Sequence, residues 1–186
     1  GKGLHTGLSV NMTIKPANEN TGIVFRRIDL DEKTEIKADV SNVVDTSRGT
    51  VIETDGARVS TIEHTLAALS ALEIDNALIE IDAPEAPILD GSSKVIVDAI
   101  GDNNTKELDA EREYFKIRKK IIFKDEKSGA ELMALPDDEY SIDVTISFDS
   151  PVLHNQYARL NSIKDFKTDI APCRTFVFLH ELEFLL

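Results

Sequence analysis

The sequence predicts an α+β fold made of two tandem two-layer domains, each a sheet with helices, the second incomplete. Three observations predict it. Strands of alternating polarity and hairpin turns are interspersed with helical stripes. A polar, glycine-containing stretch without apolar periodicity, Gly101-Asp102-Asn103-Asn104-Thr105, reads as a linker. Beyond it the strand pattern restarts at Tyr114. The domains are therefore expected at 1–104 and 105–186.

Composition bounds the possibilities. The 186 residues, 41% of them hydrophobic, suffice for one ordinary domain or two small ones with a buried core. A net charge of −13 offers no basic field for phosphates, which argues against a nucleic-acid partner. No apolar run reaches the length of a bilayer-spanning helix, so no integral membrane segment is expected. No cationic, apolar signal segment is present, although the chain opens at Gly1 without methionine. A single cysteine, Cys173, excludes an internal disulfide and any multi-cysteine zinc site.

In chain order, Gly1-Lys2-Gly3-Leu4-His5-Thr6-Gly7 is a glycine-punctuated turn without Walker or dinucleotide spacing. Leu8 to Lys15 alternates as a half-buried strand, and Ile23 to Ile28 is a second. Pro16 to Gly22 between them is polar, so the two read as a hairpin. Arg26-Arg27 reads as a solvated strand end. Ile36 to Val44 is extended, and Asp55-Gly56 is a tight turn between a strand at Val51–Glu53 and the return over Ala57–Ser60.

A helix is expected next. Ser60 followed by Glu63 has capping-box spacing, and a run of strong helix formers follows, so the helix should begin near Thr61. Ile62, Leu66, Leu69 and Leu72 form its core stripe. His64 lies about 200° round from Ile62. Ala67, Ala68 and Ala71 line its face, leaving room for another segment or a ligand.

Ala77 to Asp82 is a strand, and Ser92 or Ser93 caps a helix through Ile100. After the linker, strands are expected over Tyr114–Lys124, Ala130–Leu135 and Tyr140–Phe148, with a turn at Asp125–Gly129. Asn161 or Ser162 caps a helix carrying Ile163, Phe166 and Ile170, which Pro172 interrupts. Arg174 to Leu186 follows as an apolar helical pattern that stops without glycine, cap or polar tail, hence the expectation of an incomplete second domain.

Glu63 and His64 set a carboxylate base beside a potential metal ligand. That pairing suits metal-assisted hydrolysis, in which a bound cation lowers the pKa of water and a carboxylate removes its proton. Alone, the pair is far more often a capping acid followed by a partly exposed polar residue, since a two-residue motif has almost no specificity.

Six segments occur in an order that carries more. They are Gly1–Gly7, Asn20-Thr21-Gly22-Ile23-Val24-Phe25-Arg26-Arg27, Ser60–His64, Asp75-Asn76, Ala83-Pro84-Glu85-Ala86-Pro87-Ile88-Leu89-Asp90-Gly91-Ser92 and Arg174-Thr175-Phe176. Together they closely resemble the UDP-3-O-acyl-N-acetylglucosamine deacetylases, cytoplasmic zinc hydrolases of lipid A biosynthesis in Gram-negative bacteria. Ser47-Arg48-Gly49 and the stretch from Asp149 to Asn155 look like the Bacteroides-type branch, often fused to a 3-hydroxyacyl-carrier-protein dehydratase.

The resemblance implies two α+β domains with the site between them and a UDP-sugar substrate carrying an acyl chain. It makes His64 a zinc ligand, Glu63 the general base and Thr175 the donor to the developing oxyanion. Phe148 and Phe176 match aromatics that line the nucleotide-sugar site. The hairpin at 48–60 matches an insert flanking the active site. The family completes its zinc site with a His and an Asp four apart on a later helix, plus a lysine and a further histidine. None of His5, His64, His154 and His180 has an Asp four residues on. The other Zn²⁺ ligands are therefore expected beyond Leu186, and the 186-residue chain alone is expected to be inactive. His5 reads as a turn-stabilising residue, His154 and His180 as surface residues, and Cys173 as no nucleophile. The competing class is a non-catalytic α+β interaction module, which has no need of base, ligand and oxyanion donor together.

Overall fold

The alternating apolar positions of the N-terminal half become a four-stranded sheet in the computed structural model, which describes residues 1–101, 104–148 and 150–179. The fold is α+β, with mixed sheets and few helices. Two compact units divide it: Gly1–Ala110 with the described residues from Phe166 onward, and Glu111–Asp165.

In the first unit the strands are β1 (Met12–Pro16), β2 (Ile23–Arg27), β3 (Glu35–Lys37), β4 (Val43–Asp45), β5 (Val51–Thr54), β6 (Ala57–Val59) and β7 (Ala77–Ile81). The main sheet runs β1-β7-β2-β3. The hairpin expected between β1 and β2 does not form. β7 lies between them, antiparallel to β1 and parallel to β2. Alternation identifies a strand but not its neighbour, and the central place goes to the strand whose inward side chains, Ala77, Ile79 and Ile81, are all buried. Asn76 fixes the start of the parallel pairing: its side-chain oxygen accepts the Gly22 N–H at 2.9 Å, and the Ala77 N–H donates to the Gly22 carbonyl.

β4, β5 and β6 form a second, three-stranded antiparallel sheet. Asp55 and Gly56 both have positive φ, 51° and 79°, as a two-residue hairpin turn of this kind requires. Arg27 is buried, not solvated as expected. Its guanidinium holds Asp29 at 2.7 Å and donates to the Arg58 carbonyl at 2.7 Å, tying β2 to β6. The pairing with Arg27 also lowers the pKa of the Asp29 carboxyl.

Helix α1 (Glu63–Ala71) and its cap residue Ile62 cover the core with Leu69 and Ile62, both buried, and the helix packs against α2 (Lys94–Ile100). The capping box is absent. Ser60 donates its hydroxyl to the Pro84 carbonyl, Ile62 occupies the cap position with no side-chain bond, and Thr61 sits at φ 59°. The helix consequently starts at Glu63. Ser60 is drawn into a bridge with Glu85, so its hydroxyl is unavailable to the helix.

The second unit contains β8 (Ile121–Lys124) paired with β9 (Glu131–Ala134), and β10 (Ile142–Ile146) paired with β11 (Gln156–Leu160). The turn at Asp125–Gly129 closes as expected, with the Gly129 N–H on the Asp125 carbonyl at 2.8 Å. Tyr114–Lys120 is irregular rather than extended, because the partner strand ends at Ala134, two residues before Pro136, which has no N–H to pair. β11 was not expected. The helix expected after Ser162 is a 3₁₀ turn at Ile163–Asp165 and one short turn, α3 (Phe166–Asp169).

Arg174 to Phe178 is irregular, not helical, since the Thr175 N–H pairs with the Gly91 carbonyl at 2.9 Å. From His180 onward that expected helix lies outside the described residues. Among the described residues no helix is long and apolar enough to cross a membrane.

Candidate active site

The site residues expected in the first unit are arranged around one loop, Pro84 to Ser93, which follows β7. At its start, the Ser60 N–H donates to the Pro84 carbonyl at 3.0 Å and the Ala86 N–H to the Ser60 carbonyl at 2.9 Å. This fixes the chain immediately before α1. At its end, the Ser93 hydroxyl donates to the His64 carbonyl at 3.1 Å, and Gly91 holds Thr175. One loop therefore braces the first turn of α1 and the Arg-Thr-Phe segment together.

Glu63 stands in that first turn, half-buried. Its Oε2 accepts the Thr50 N–H at 2.9 Å. Gly49 approaches the other oxygen closely, a Cβ there lying 3.0 Å from Oε1, and its φ of 150° is one that side-chain-bearing residues rarely adopt. Oε1 accepts no hydrogen bond from the described residues. The carboxylate is thus anchored by one oxygen and keeps the lone pairs of the other for a proton. The N-terminal end of a helix also favours negative charge.

His64 follows on the helix, half-buried, with its backbone carbonyl engaged and its imidazole making no hydrogen bond to the described residues. His5 is exposed. Its N–H binds Glu85, and its Nε2 lies 3.3 Å from the Arg48 carbonyl, one residue before Gly49. Asp90 is held below the usual carboxylate range, first by the Ser92 hydroxyl at 2.7 Å and further by Arg174.

Thr175 and Phe176 are exposed, and Phe176 meets Phe178 edge to face with centroids 5.5 Å apart. Phe148 belongs to the second unit, where it lines a cleft of about 590 Å³ with Ser147, Ser150, Pro151 and His154. The Ser147 hydroxyl lies 3.2 Å from His154 Nδ1.

Sequence reasoning gave no role in the site to Glu85, to Ser93, expected only as a helix cap, or to the Gly49-Thr50 backbone. No local signal marks Glu85, a carboxylate in a proline-rich loop where exposure is the ordinary expectation. It is completely buried. Burial alone would raise its pKa. The bonds from the His5 N–H, the Thr6 hydroxyl and N–H, and the Thr61 hydroxyl outweigh that and hold it below the ordinary value.

A family model described as UDP-3-O-acyl N-acetylglycosamine deacetylase matches residues 1–186. The bifunctional enzyme LpxC/FabZ of Bacteroides thetaiotaomicron is 46% identical over 186 residues, which are 100% of this chain and 40% of that protein. The protein of the same name from Porphyromonas gingivalis is 48% identical, again over 100% of the chain and 40% of its own length. The UDP-3-O-acyl-N-acetylglucosamine deacetylase of Alcanivorax borkumensis is 40% identical over 188 residues, 100% of this chain and 61% of the relative. The chain thus spans 40% to 61% of the length of these relatives.

Proposed function

The chain belongs to the UDP-3-O-acyl N-acetylglycosamine deacetylase family, and on that premise we propose that it forms part of an enzyme hydrolysing the acetamide of UDP-3-O-acyl-N-acetylglucosamine in lipid A biosynthesis. Glu63 is the general base. Water oxygen bonds to the carbonyl carbon as Glu63 takes its proton. Thr175 donates to the carbonyl oxygen as it gains charge. The carbon–nitrogen bond then breaks as the proton held by Glu63 passes to the nitrogen, and acetate and the free amine result. The observation that carries this reading is the Glu63 carboxylate, anchored by the Thr50 N–H through one oxygen and open at the other.

Phe148 and Phe176 are assigned to the nucleotide-sugar site, and the domains to 1–104 and 105–186. The reaction is placed in the cytoplasm. The relatives named as bifunctional LpxC/FabZ enzymes support a dehydratase domain in the same protein.

Zinc, which the family resemblance implies, does not fit the described residues by themselves: no group of three or more His, Cys, Asp or Glu among them could hold a metal ion. We assign His64 as one ligand and place the others outside the described residues.

Acetate release from the UDP-sugar by the intact enzyme tests the reading, with zinc content measured alongside. Wild type should release acetate, and His64→Ala should lose both zinc and turnover. A wild-type enzyme that binds the UDP-sugar and releases no acetate would overturn it.

A further inference from the structure

Burying a carboxylate costs several kcal/mol (on the order of 5) unless its lone pairs are filled, and the first unit already closes over a core of apolar side chains without one. Glu85 is nevertheless completely buried, and four donors converge on it. Its Oε2 accepts the Thr6 N–H at 2.8 Å and the Thr6 hydroxyl at 2.7 Å. Its Oε1 accepts the His5 N–H at 2.9 Å and the Thr61 hydroxyl at 3.2 Å. Gly3 makes room for it, since a Cβ there would lie 2.3 Å from Oε2.

These partners lead to Glu63 from two sides. Thr61 is buried and β-branched, yet sits at φ 59°, a conformation such residues rarely adopt unless the surroundings impose it. It lies two residues before Glu63, and its hydroxyl is on the Glu85 carboxylate. From the other side, Glu85 fixes the backbone of His5, whose ring meets the Arg48 carbonyl. Arg48 leads directly into Gly49, which lies against the Glu63 carboxylate, and Thr50, whose N–H holds it. One buried anion therefore reaches both the backbone entry to Glu63 and the loop that grips its side chain.

We propose that Glu85 is a positioning residue for the reaction. It holds Thr61 in its left-handed conformation and the 48–50 loop in place, so that the Glu63 carboxylate is presented with one oxygen anchored and one open. This rests on the reading of Glu63 as the base.

The test combines kinetics with hydrogen–deuterium exchange on the intact enzyme. Glu85→Gln should lower kcat by up to about 100-fold, the loss that misplacing a reacting group by about 1 Å produces, with KM near wild type. Added to Glu63→Ala it should produce far less than its own loss, because the group it positions is gone. A brace that serves folding alone would give multiplied losses, and that result overturns the proposal. Should Glu85→Gln fail to fold, Thr61→Val removes one bond of the cluster. It should lower kcat, while Thr61→Ser, which keeps the hydroxyl, should restore it. Equal turnover in Thr61→Val and wild type overturns the proposal. Exchange at the Thr50 amide separates this inference from the deacetylase reading. In Glu85→Gln and Thr61→Val it should accelerate towards its rate in Glu63→Ala, with the β7 amides unchanged, whether or not acetate is released. Unaltered Thr50 protection overturns the positioning role.

Discussion

Phe25, Ile36, Ile79 and Ile81 of the first unit are fully buried, whereas Phe123, Leu132 and Met133 of the second are more than half exposed. The first unit has a central strand paired on both sides and a helix covering its sheet. Among the described residues, the second has two separate two-stranded hairpins, an arrangement that is marginal by itself in water. Glu63, His64 and Thr175 all belong to the first unit. The residues assigned to proton transfer and oxyanion stabilisation thus stand on the unit with the dense core, where backbone position is held tightly. Phe148, assigned only to substrate contact, stands on the other.

This contrast can be broken most forcefully in the two apolar sets. Ile79→Ala should cost about 2–5 kcal/mol, the range for deleting a large core aliphatic. Leu132→Ala, at a position 70% exposed, should stay within about 0.5 kcal/mol. Urea denaturation measures both. Comparable losses would mean that the second unit carries as much of the folding free energy as the first.

A smaller effect sharpens the comparison within the first unit. The folded-state pKa of Glu85 is lowered, so its contribution to stability is fully present above the ordinary glutamate pKa. It is lost as pH falls through the lowered folded value. Glu85→Gln has no such titration. The stability gap between wild type and Glu85→Gln should therefore be about 1–3 kcal/mol near neutrality, the cost of unsatisfied buried hydrogen-bonding groups, and should narrow in acid below the ordinary glutamate range. Urea midpoints measured across that range give the answer. A gap that widens in acid would reverse the assigned sign.

Much of the first unit was legible because period-two alternation and an Asp-Gly turn report local conformation directly. Val10, Met12 and Ile14 mark one inward face, and Val51–Val59 marks a hairpin. What alternation does not encode is the identity of the neighbour, which is why β7 between β1 and β2 was missed. The capping box failed for a related reason. Ser60 and Glu63 have the right spacing, but Pro84 and Thr50, both distant in sequence, compete for their side chains. β11 was not expected because Gln156, Tyr157 and Arg159 supply no apolar stripe, and it is the pairing with β10 that makes them a strand. The first turn of α1 bearing Glu63 and His64 was legible locally. Glu85 was not, since its place follows from contacts to His5, Thr6 and Thr61.

The central claim is that the anchored Glu63 carboxylate takes the proton of the attacking water, and turnover of Glu63→Ala in the intact enzyme tests it most directly. With acetate release as the readout and UDP-sugar binding measured in parallel, kcat should fall about 10²–10⁴-fold while affinity stays near wild type. Turnover at the wild-type rate in Glu63→Ala would contradict the claim.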